Sequence, residues 1–432
     1  MKNNITTINK KVVFIGLSIT IFLFIFIISF PNLSHNVFMV ANRFGIYSTP
    51  YYDLTFALIL FLSITIIFIF IGNRHYLKLW LIKAFLTLVL MLAYESIYYR
   101  LDSYMYFAEA VHSFNVYVRE GGGSTFNIVK INRFFTYFVG DSYHALKLFN
   151  SFIGFLGLIF LYKSFEYIMK KNNLKIDHKF IYIFFLFPSV LFWSSILGKD
   201  PLNLFFVGMF TYAFIHIIDE FKFRYLIMII LAIWLVSYIR SWYSIIMVTS
   251  MFLYYLKINS IRNFSLFLIV LPIFGILGQQ FLQLQGITSF DTLFLKMTAT
   301  TQNLAYGRSA VSTNVITDFW DYLLYYIPNL FTTLFRPMPW DIRNPFTLMA
   351  AVENVIMLYL TYKYIFKNWK MIYSNKYLKF LILFIFSWSL LYVIISPANL
   401  GGAVRFKLQI LPAMLILIGV AMALNQQKEE KT

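Results

Sequence analysis

The sequence predicts an all-α polytopic membrane protein with about 12 transmembrane helices. Of its 432 residues, 60% are hydrophobic and only 12% are charged, and its mean hydropathy is +0.71, unlike soluble globular proteins. Apolar runs recur at the length that a helix needs to cross a bilayer, about 20 residues. Basic residues concentrate in alternate loops, as the positive-inside rule requires of such a protein.

The predicted spans form one integral membrane domain over residues 1–432, without a separate soluble domain. We interpret the first span as a retained helix, because it is long enough to cross a bilayer and no small-residue cleavage site follows it. The spans lie at about 12–31, 53–72, 77–97, 145–168, 180–198, 201–219, 223–239, 242–257, 264–281, 347–366, 377–396 and 405–424.

The distribution of basic residues predicts the orientation of these helices. One set of alternate loops holds 22 of the 36 basic residues, Lys83 among them, and the opposite set holds 14, Lys147 among them. Both termini therefore face the cytoplasm. Lysine outnumbers arginine 19 to 3 on the inner side, whereas arginine outnumbers lysine 9 to 5 outside. Arginine is the usual residue for bidentate anion contacts, so the outer face is predicted to be the working face.

Several functional classes are disfavoured. The absence of cysteine rules out disulfides, thiol catalysis and cysteine metal sites. No Walker or dinucleotide-binding motif occurs, and no two of the six histidines have i, i+4 spacing, so we expect no cofactor and no dedicated histidine metal site. The net charge of +18 lies in short loops, where topology and anionic lipid explain it better than nucleic acid does.

Two long loops are predicted on the outer, periplasmic side. The first covers about 98–144 and the second about 282–346. The second contains an aromatic surface helix at 317–335, whose rings are expected to lie in the membrane interface. Long ordered loops in compact proteins are usually functional, so both are candidate sites.

The segment at 334–345, LFRPMPWDIRNP, is the strongest candidate site. Its three prolines exclude a regular helix, so it must display its charged side chains from a shaped backbone. The guanidinium groups of Arg336 and Arg343 are suited to bind phosphate or pyrophosphate bidentately. The alternative is that an Arg-Pro-rich loop only marks a membrane boundary.

Other charged side chains lie at predicted helix ends. Arg240 falls between two apolar runs, Glu353 lies within one, and Gly401-Gly402 precede Arg405 and Lys407 at the predicted last span. Free N–H groups beside two cations would make an anion site at a helix N-terminus. The alternative for Gly401-Gly402 and the two cations is a turn whose cations snorkel to the membrane surface. The alternative for Glu353 is a structural partner within the protein.

Asp102 and Lys199 are candidates from two other outer segments. Asp102 follows the third predicted span, where a carboxylate is suited to act as a general base for a hydroxyl or to hold a metal ion on phosphate. It also fits a helix start. Asp200 fits a helix N-cap with Pro201 at the first helical position, which leaves Lys199 to touch an anionic head group.

Three strings resemble segments of integral membrane proteins from bacterial polysaccharide clusters. An F-R-P-x-P-W-E segment and its following A-x-E-N helix are similar to FRPMPWD at 335–341 and AAVEN at 350–354. Their P-S-x-x-F-W-S-x-x-x-x-K-D hairpin is similar to PSVLFWSSILGKD at 188–200. Their R-F/Y-x-L-P-x-x-P close is similar to GAVRFKLQILP at 402–412. The resemblance covers about 185–415 and is weak in the N-terminal third.

The resemblance implies a Wzy-type O-antigen or capsule repeat-unit polymerase, or a GT-C-like glycosyltransferase, that uses polyprenyl-linked sugar donors. The family's glutamate is replaced by Asp341 here. Asp102 follows the third span, whereas the catalytic acid of GT-C enzymes normally follows the first, which favours the polymerase. The alternatives are a GT-C-like transferase of single sugars, a lipid-linked oligosaccharide flippase and a structural assembly partner. Expected partners are the lipid-linked oligosaccharide, membrane lipid, a chain-length regulator and a flippase.

On this hypothesis the candidate residues divide into two groups. Asp102, Asp341 and Arg336 are the predicted catalytic residues, with a carboxylate acting on the acceptor hydroxyl. The residues predicted to contact pyrophosphate or glycan are Arg240, Arg343, Arg405, Lys199, Lys407, Trp340 and Glu353.

Overall fold

The computed structural model describes residues 50–97, 101–112, 123–256, 289–305, 316 and 318–430, with parts of 13–28 and 268–279. Helices and the turns between them make up this part of the chain, and no β-strand occurs in it. The all-α class is therefore confirmed. Most of the predicted spans at 12–31 and 264–281 lie outside the described residues.

The chain divides into two compact units. The N-terminal unit contains residues 1–153 and 195–201, and the C-terminal unit contains 154–194 and 202–432. Helix α6, defined below, passes from one unit into the other. The candidate loop at 334–345 belongs to the C-terminal unit.

From Pro50 to Ile153, the described part of the N-terminal unit contains five helices and the start of a sixth. Asn73 caps α2 by accepting the backbone N–H groups of His75 and Tyr76, and Gly72 makes the preceding turn with a φ of 74°. The predicted first outer loop contains α4 and α5. The helices are α1 Pro50–Ile71, α2 Arg74–Phe85, α3 Met91–Ile97, α4 Asp102–His112, α5 Gly123–Val139 and α6 Tyr143–Lys171, with a π-helical segment at Leu86–Leu90.

A buried ion pair joins α3 to α6. The Lys147 ammonium lies 2.7 Å from a Glu95 carboxylate oxygen, and both side chains are completely inaccessible to solvent. The Tyr143 hydroxyl donates to the other oxygen of Glu95 at 2.7 Å. Lys147 and Lys83, which is 1% exposed, were both assigned to loops from the sequence. Those assignments are wrong, because Glu95 and the Ser195 hydroxyl provide buried partners for the two ammonium groups.

The C-terminal unit contains most of the remaining helices. The predicted second outer loop contains α12 and α13, which pack on α16 through an apolar cluster that includes Phe294, Tyr325 and Val393. The helices are α7 Phe180–Leu186, α8 Pro188–Trp193, α9 Lys199–Asp219, α10 Phe223–Ile239, α11 Ser241–Tyr255, α12 Phe290–Leu304, α13 Phe319–Phe335, α14 Pro345–Leu360, α15 Trp369–Ser374, α16 Lys376–Ile395, α17 Leu400–Lys407 and α18 Leu411–Glu429.

Two contacts hold helices of this unit together. Gly157 of α6 and Gly208 of α9 lie where a Cβ atom on either would overlap the backbone of the other helix, so α6 and α9 approach more closely than larger residues allow. At the end of α9, the Asp219 carboxylate accepts the hydroxyls of Tyr167 and Tyr377 at 2.7 and 2.6 Å. These bonds join α6, α9 and α16.

The described residues include several helices that are long and apolar enough to cross a membrane. Four meet this criterion, or five if the bent pair α17 and α18 forms one span. The count of twelve is therefore not confirmed. The run predicted at 180–198 is divided into α7 and α8 by Pro188, and the run predicted at 405–424 bends by 60° between α17 and α18.

The buried pair predicts a large effect of a single substitution. Lys147→Met leaves the Glu95 carboxylate buried without its cation, which typically costs about 3–5 kcal/mol. The double variant Glu95→Gln/Lys147→Met removes both charges and keeps an acceptor for Tyr143, so it should recover most of this loss. The measurement is the thermal unfolding midpoint of the purified protein in detergent.

The matched control is Lys222→Met. Lys222 pairs with Glu220 at 2.6 Å, but these side chains are 50% and 59% exposed, so solvent screens the pair. We expect no measurable change in its unfolding midpoint. A Lys147→Met midpoint equal to that of this control would contradict the buried-pair description.

Candidate functional site

The segment between α13 and α14 has the irregular backbone that its prolines predict. Arg336 ends α13 with an extended backbone, and the Arg336-Pro337 peptide bond is cis. A single turn of 3₁₀ helix covers Pro339–Asp341. Asn344 then caps α14 by accepting the Thr347 N–H at 2.9 Å. The segment is a short turn held between two helix ends.

Arg336 and Asp341 bind each other across this turn. The guanidinium donates from Nε and Nη2 to the two carboxylate oxygens, at 2.9 and 2.5 Å. The carboxylate also accepts the Met338 N–H at 2.9 Å. The hydrogen bond from Arg336 lowers the pKa of Asp341 below its usual value. This geometry favours a bracing role for the pair over the acid–base role predicted for Asp341.

Two buried side chains fix the carbonyl groups at the start of the turn. Asn354 of α14 donates to the Pro337 carbonyl at 2.8 Å. The Lys407 ammonium at the end of α17 donates to the Arg336 carbonyl at 3.2 Å and to the Asn354 side-chain oxygen at 2.8 Å. Lys407 was predicted to contact pyrophosphate or glycan. Its bonds here are to the protein, and they connect α17 to the turn.

Glu353 also has protein partners. Its carboxylate accepts the backbone N–H of Ser189 at 2.7 Å and the Ser189 hydroxyl. These bonds attach the start of α8 to α14. These contacts agree with the alternative interpretation of Glu353, in which its carboxylate has a structural partner inside the protein.

Two more predicted arginines lie in or beside helix α17. The Arg405 guanidinium is half-buried and lies 5.8 Å from the centre of the Trp193 ring. The Arg240 guanidinium, at the junction of α10 and α11, lies 5.6 Å from the ring centre of Phe406, the residue after Arg405. Because Lys407 of the same helix holds the Arg336 carbonyl, α17 brings Arg240, Arg336 and Arg405 to one region of the C-terminal unit.

The outer part of the turn is exposed. Trp340 is 71% exposed, and Arg343 is exposed as well. Arg343 is anchored through its backbone, whose N–H donates to the Thr347 hydroxyl at 2.9 Å. Of the predicted arginines in this region, Arg343 is exposed, Arg336 and Arg405 are half-buried, and Arg240 is buried.

The sequence predicts free backbone N–H groups at Gly401-Gly402, but in the structure the Gly402 N–H has a partner. The side chain of Asn399 accepts the Gly402 N–H at 3.1 Å, which caps α17. This backbone donor is therefore satisfied by the protein. The prediction of a free anion-binding N–H at Gly402 is wrong, because the asparagine before the glycines acts as the cap.

Asp102 and Lys199 belong to the N-terminal unit. Asp102 is the exposed first residue of α4, as the helix-start alternative predicts. Helix α9 begins at Lys199, two residues earlier than an N-cap at Asp200 requires. The Lys199 ammonium donates to the hydroxyls of Ser124 and Thr125, at 3.1 and 3.3 Å, in the first turn of α5. Their predicted roles in substrate contact stay predictions.

The sequence interpretation missed Asn354, Ser189 and Trp193 as parts of this region. All three occur in the strings that carry the family resemblance, so a signal was present, but their partners lie far away in the sequence. Within the described part of the chain, no group of three or more His, Asp or Glu side chains is arranged to hold a metal ion.

Comparison with known proteins gives no match to a family model, a curated protein or a solved structure.

The Arg336–Asp341 pair predicts a pH-dependent stability difference. Asp341→Asn removes the charge-assisted bonds, which are worth about 1.5–3 kcal/mol in typical cases. Because the pKa of Asp341 is lowered in the folded protein, its contribution is complete above about pH 4 and disappears as the pH falls through the lowered value. The unfolding midpoints of wild type and variant should therefore differ at pH 7 and converge in acid.

The control for this measurement is Arg343→Gln, because it removes a nearby positive charge and leaves the Arg336–Asp341 bonds in place. Its midpoint should stay near that of wild type. Equal midpoints for wild type and Asp341→Asn at pH 7, or a difference that persists unchanged in acid, would count against the pair as a brace.

Proposed function

We propose that this protein is a glycosyltransferase of the repeat-unit polymerase type. It transfers a growing glycan from polyprenyl pyrophosphate to a second lipid-linked repeat unit on the periplasmic face of the inner membrane. The observation that carries the proposal is the concentration of Arg240, Arg336, Arg343 and Arg405 in one region of the C-terminal unit. The sequence resemblance at 188–200, 335–354 and 402–412 includes much of the same region.

The arginines suit the chemistry of this reaction. The acceptor hydroxyl attacks the anomeric carbon of the donor, and the bond to the pyrophosphate oxygen breaks. Negative charge then develops on the leaving pyrophosphate, and fixed guanidinium groups stabilise such charge without a cofactor. Arg343 and Arg405 are assigned to direct contact, because Arg240 is buried and the Arg336 guanidinium already donates to Asp341.

The residues that hold the turn in place support these contacts. Arg336 and Asp341 brace the turn, while Asn354 and Lys407 fix its carbonyl groups. Preorganisation matters because donors that are already aimed at the developing charge need no rearrangement during the reaction. Asp102 stays the predicted group for orienting or deprotonating the acceptor hydroxyl.

The decisive experiment is the lipid-linked glycan profile of a deletion strain that is complemented with single variants. Arg405→Gln should abolish long-chain glycan, because losing one donor to the transition-state charge typically lowers the rate about 10²–10³-fold. Arg405→Lys should restore it only in part, since an ammonium keeps the charge and loses the planar fork. Immunoblots must show wild-type amounts of each variant in the membrane.

Arg224→Gln is the matched control, because Arg224 lies at the end of α10 opposite Arg240 and on the side predicted to face the cytoplasm. It should give a normal ladder. Normal ladders from Arg405→Gln and Arg343→Gln would exclude the proposed mechanism. A repeat unit that lacks one sugar in the deletion strain would indicate the GT-C-like single-sugar transferase, and glycan retained on the cytoplasmic face would indicate the flippase.

A further inference from the structure

Helix α13 has an exposed apolar face, although it is not among the helices long and apolar enough to cross a membrane. Trp320, Leu324, Ile327 and Phe331 follow one another at helical spacing, and the middle two are 75% and 71% exposed. This spacing aligns them along one side of the helix. The opposite side packs on α16, with Tyr325 buried and Tyr322, Tyr326 and Leu330 half-buried.

Helix α5 of the N-terminal unit repeats this arrangement. Phe126, Lys130, Phe134 and Phe138 lie four residues apart, and all four are exposed. The Lys130 ammonium lies 4.1 Å from the centre of the Phe126 ring. Like α13, α5 is not one of the candidate spans. Its stripe therefore combines aromatic rings with one cation.

Two tyrosine side chains attach α13 to α16. The Tyr322 hydroxyl donates to the Leu390 carbonyl at 2.8 Å, and the Tyr326 hydroxyl lies 2.7 Å from the Ser389 hydroxyl. Both contacts are made in the last two turns of α16, which ends at Ile395.

Helix α5 contacts the first eight residues of α6. Asn132 accepts a hydrogen bond from Asn150 at 3.3 Å, and the rings of Phe135 and Phe149 have centres 4.9 Å apart. In each unit, a short amphipathic helix thus packs on one end of a candidate span.

The contacts also give the depth of each helix along its span. Leu390 is five residues from the end of α16 at Ile395, and Asn150 is seven residues from the start of α6 at Tyr143. These separations correspond to about 7.5 and 10.5 Å. The charge pattern assigns both helix ends to the outer side of the membrane. Interfacial helices bury their apolar faces to a similar depth, about 5–10 Å.

We propose that α5 and α13 are interfacial helices whose exposed faces bind the outer leaflet of the bilayer. Aromatic and aliphatic side chains at this depth suit the boundary between head groups and acyl chains. The two faces differ in charge: α5 carries Lys130, whereas α13 has no basic residue from Phe319 to Phe335. Binding of α5 should therefore depend on anionic lipid, and binding of α13 should not.

Spin labelling tests this proposal in the full-length protein, which has no native cysteine. Phe134→Cys and Ile327→Cys are labelled separately in nanodiscs of phosphatidylethanolamine and phosphatidylglycerol. Collision rates are then measured with oxygen, which partitions into lipid, and with a water-soluble nickel chelate. Ile230→Cys, near the middle of the exposed face of the apolar α10, is the lipid reference, and Glu220→Cys is the aqueous reference.

We expect both labels to collide more with oxygen than with nickel, at a depth shallower than that of the Ile230→Cys label on α10. Nickel accessibility equal to that of Glu220→Cys would overturn the proposal, because the faces would then lie in water. Low collision rates with both reagents would also overturn it, since protein would cover the faces. Glycan synthesis is not a readout, so the proposed function can fail independently.

Lipid composition tests the difference in charge. Replacing phosphatidylglycerol by phosphatidylcholine should shift the label at Phe134 toward water and leave the label at Ile327 unchanged. Lys130→Gln, combined with Phe134→Cys, should remove this lipid dependence. Equal shifts at both sites, or a shift that persists in Lys130→Gln, would contradict the assigned role of Lys130.

Discussion

The high cost of an unpaired charge in an apolar interior constrains both units of this protein. The Glu95 and Lys147 side chains are completely inaccessible to solvent. The interior tolerates both charges because the two groups lie 2.7 Å apart and the Tyr143 hydroxyl donates to the second carboxylate oxygen of Glu95. In the C-terminal unit, Lys407 is buried and donates to Asn354 and to the backbone. Such pairs need partners from separate helices, so they also fix how those helices pack.

The same constraint explains the architecture of the candidate site. Its turn has little regular hydrogen bonding of its own, because prolines remove backbone donors. Side chains provide the missing bonds: Arg336 and Asp341 close the turn, and Asn354 and Lys407 hold its carbonyl groups. Buried polar groups thus form the rigid part, while Trp340 and Arg343 remain exposed. A rigid base with exposed cations suits the electrostatic chemistry that we propose.

Much of the fold could be predicted because it depends on local properties. The 17-residue helix α13 ends where the sequence predicts and begins within two residues of the predicted start, since its apolar spacing and Asp318 cap are local signals. Helix α10 also agrees with its predicted run. The division of 180–198 at Pro188 was missed because length and hydropathy outweighed one proline, and the bend before α18 arises from a three-residue interruption that hydropathy does not register.

The sequence by itself determined the all-α class, the presence of membrane-spanning helices and the irregular loop with two arginines, because composition, periodicity and proline act over short distances. Only the tertiary structure decided which buried polar and charged groups contact each other. Glu95 meets Lys147, Ser189 meets Glu353, and Asn354 meets Lys407, at separations of 52, 164 and 53 residues. Each pair forms because a desolvated polar group needs a partner, and helix packing determines which distant residue provides it.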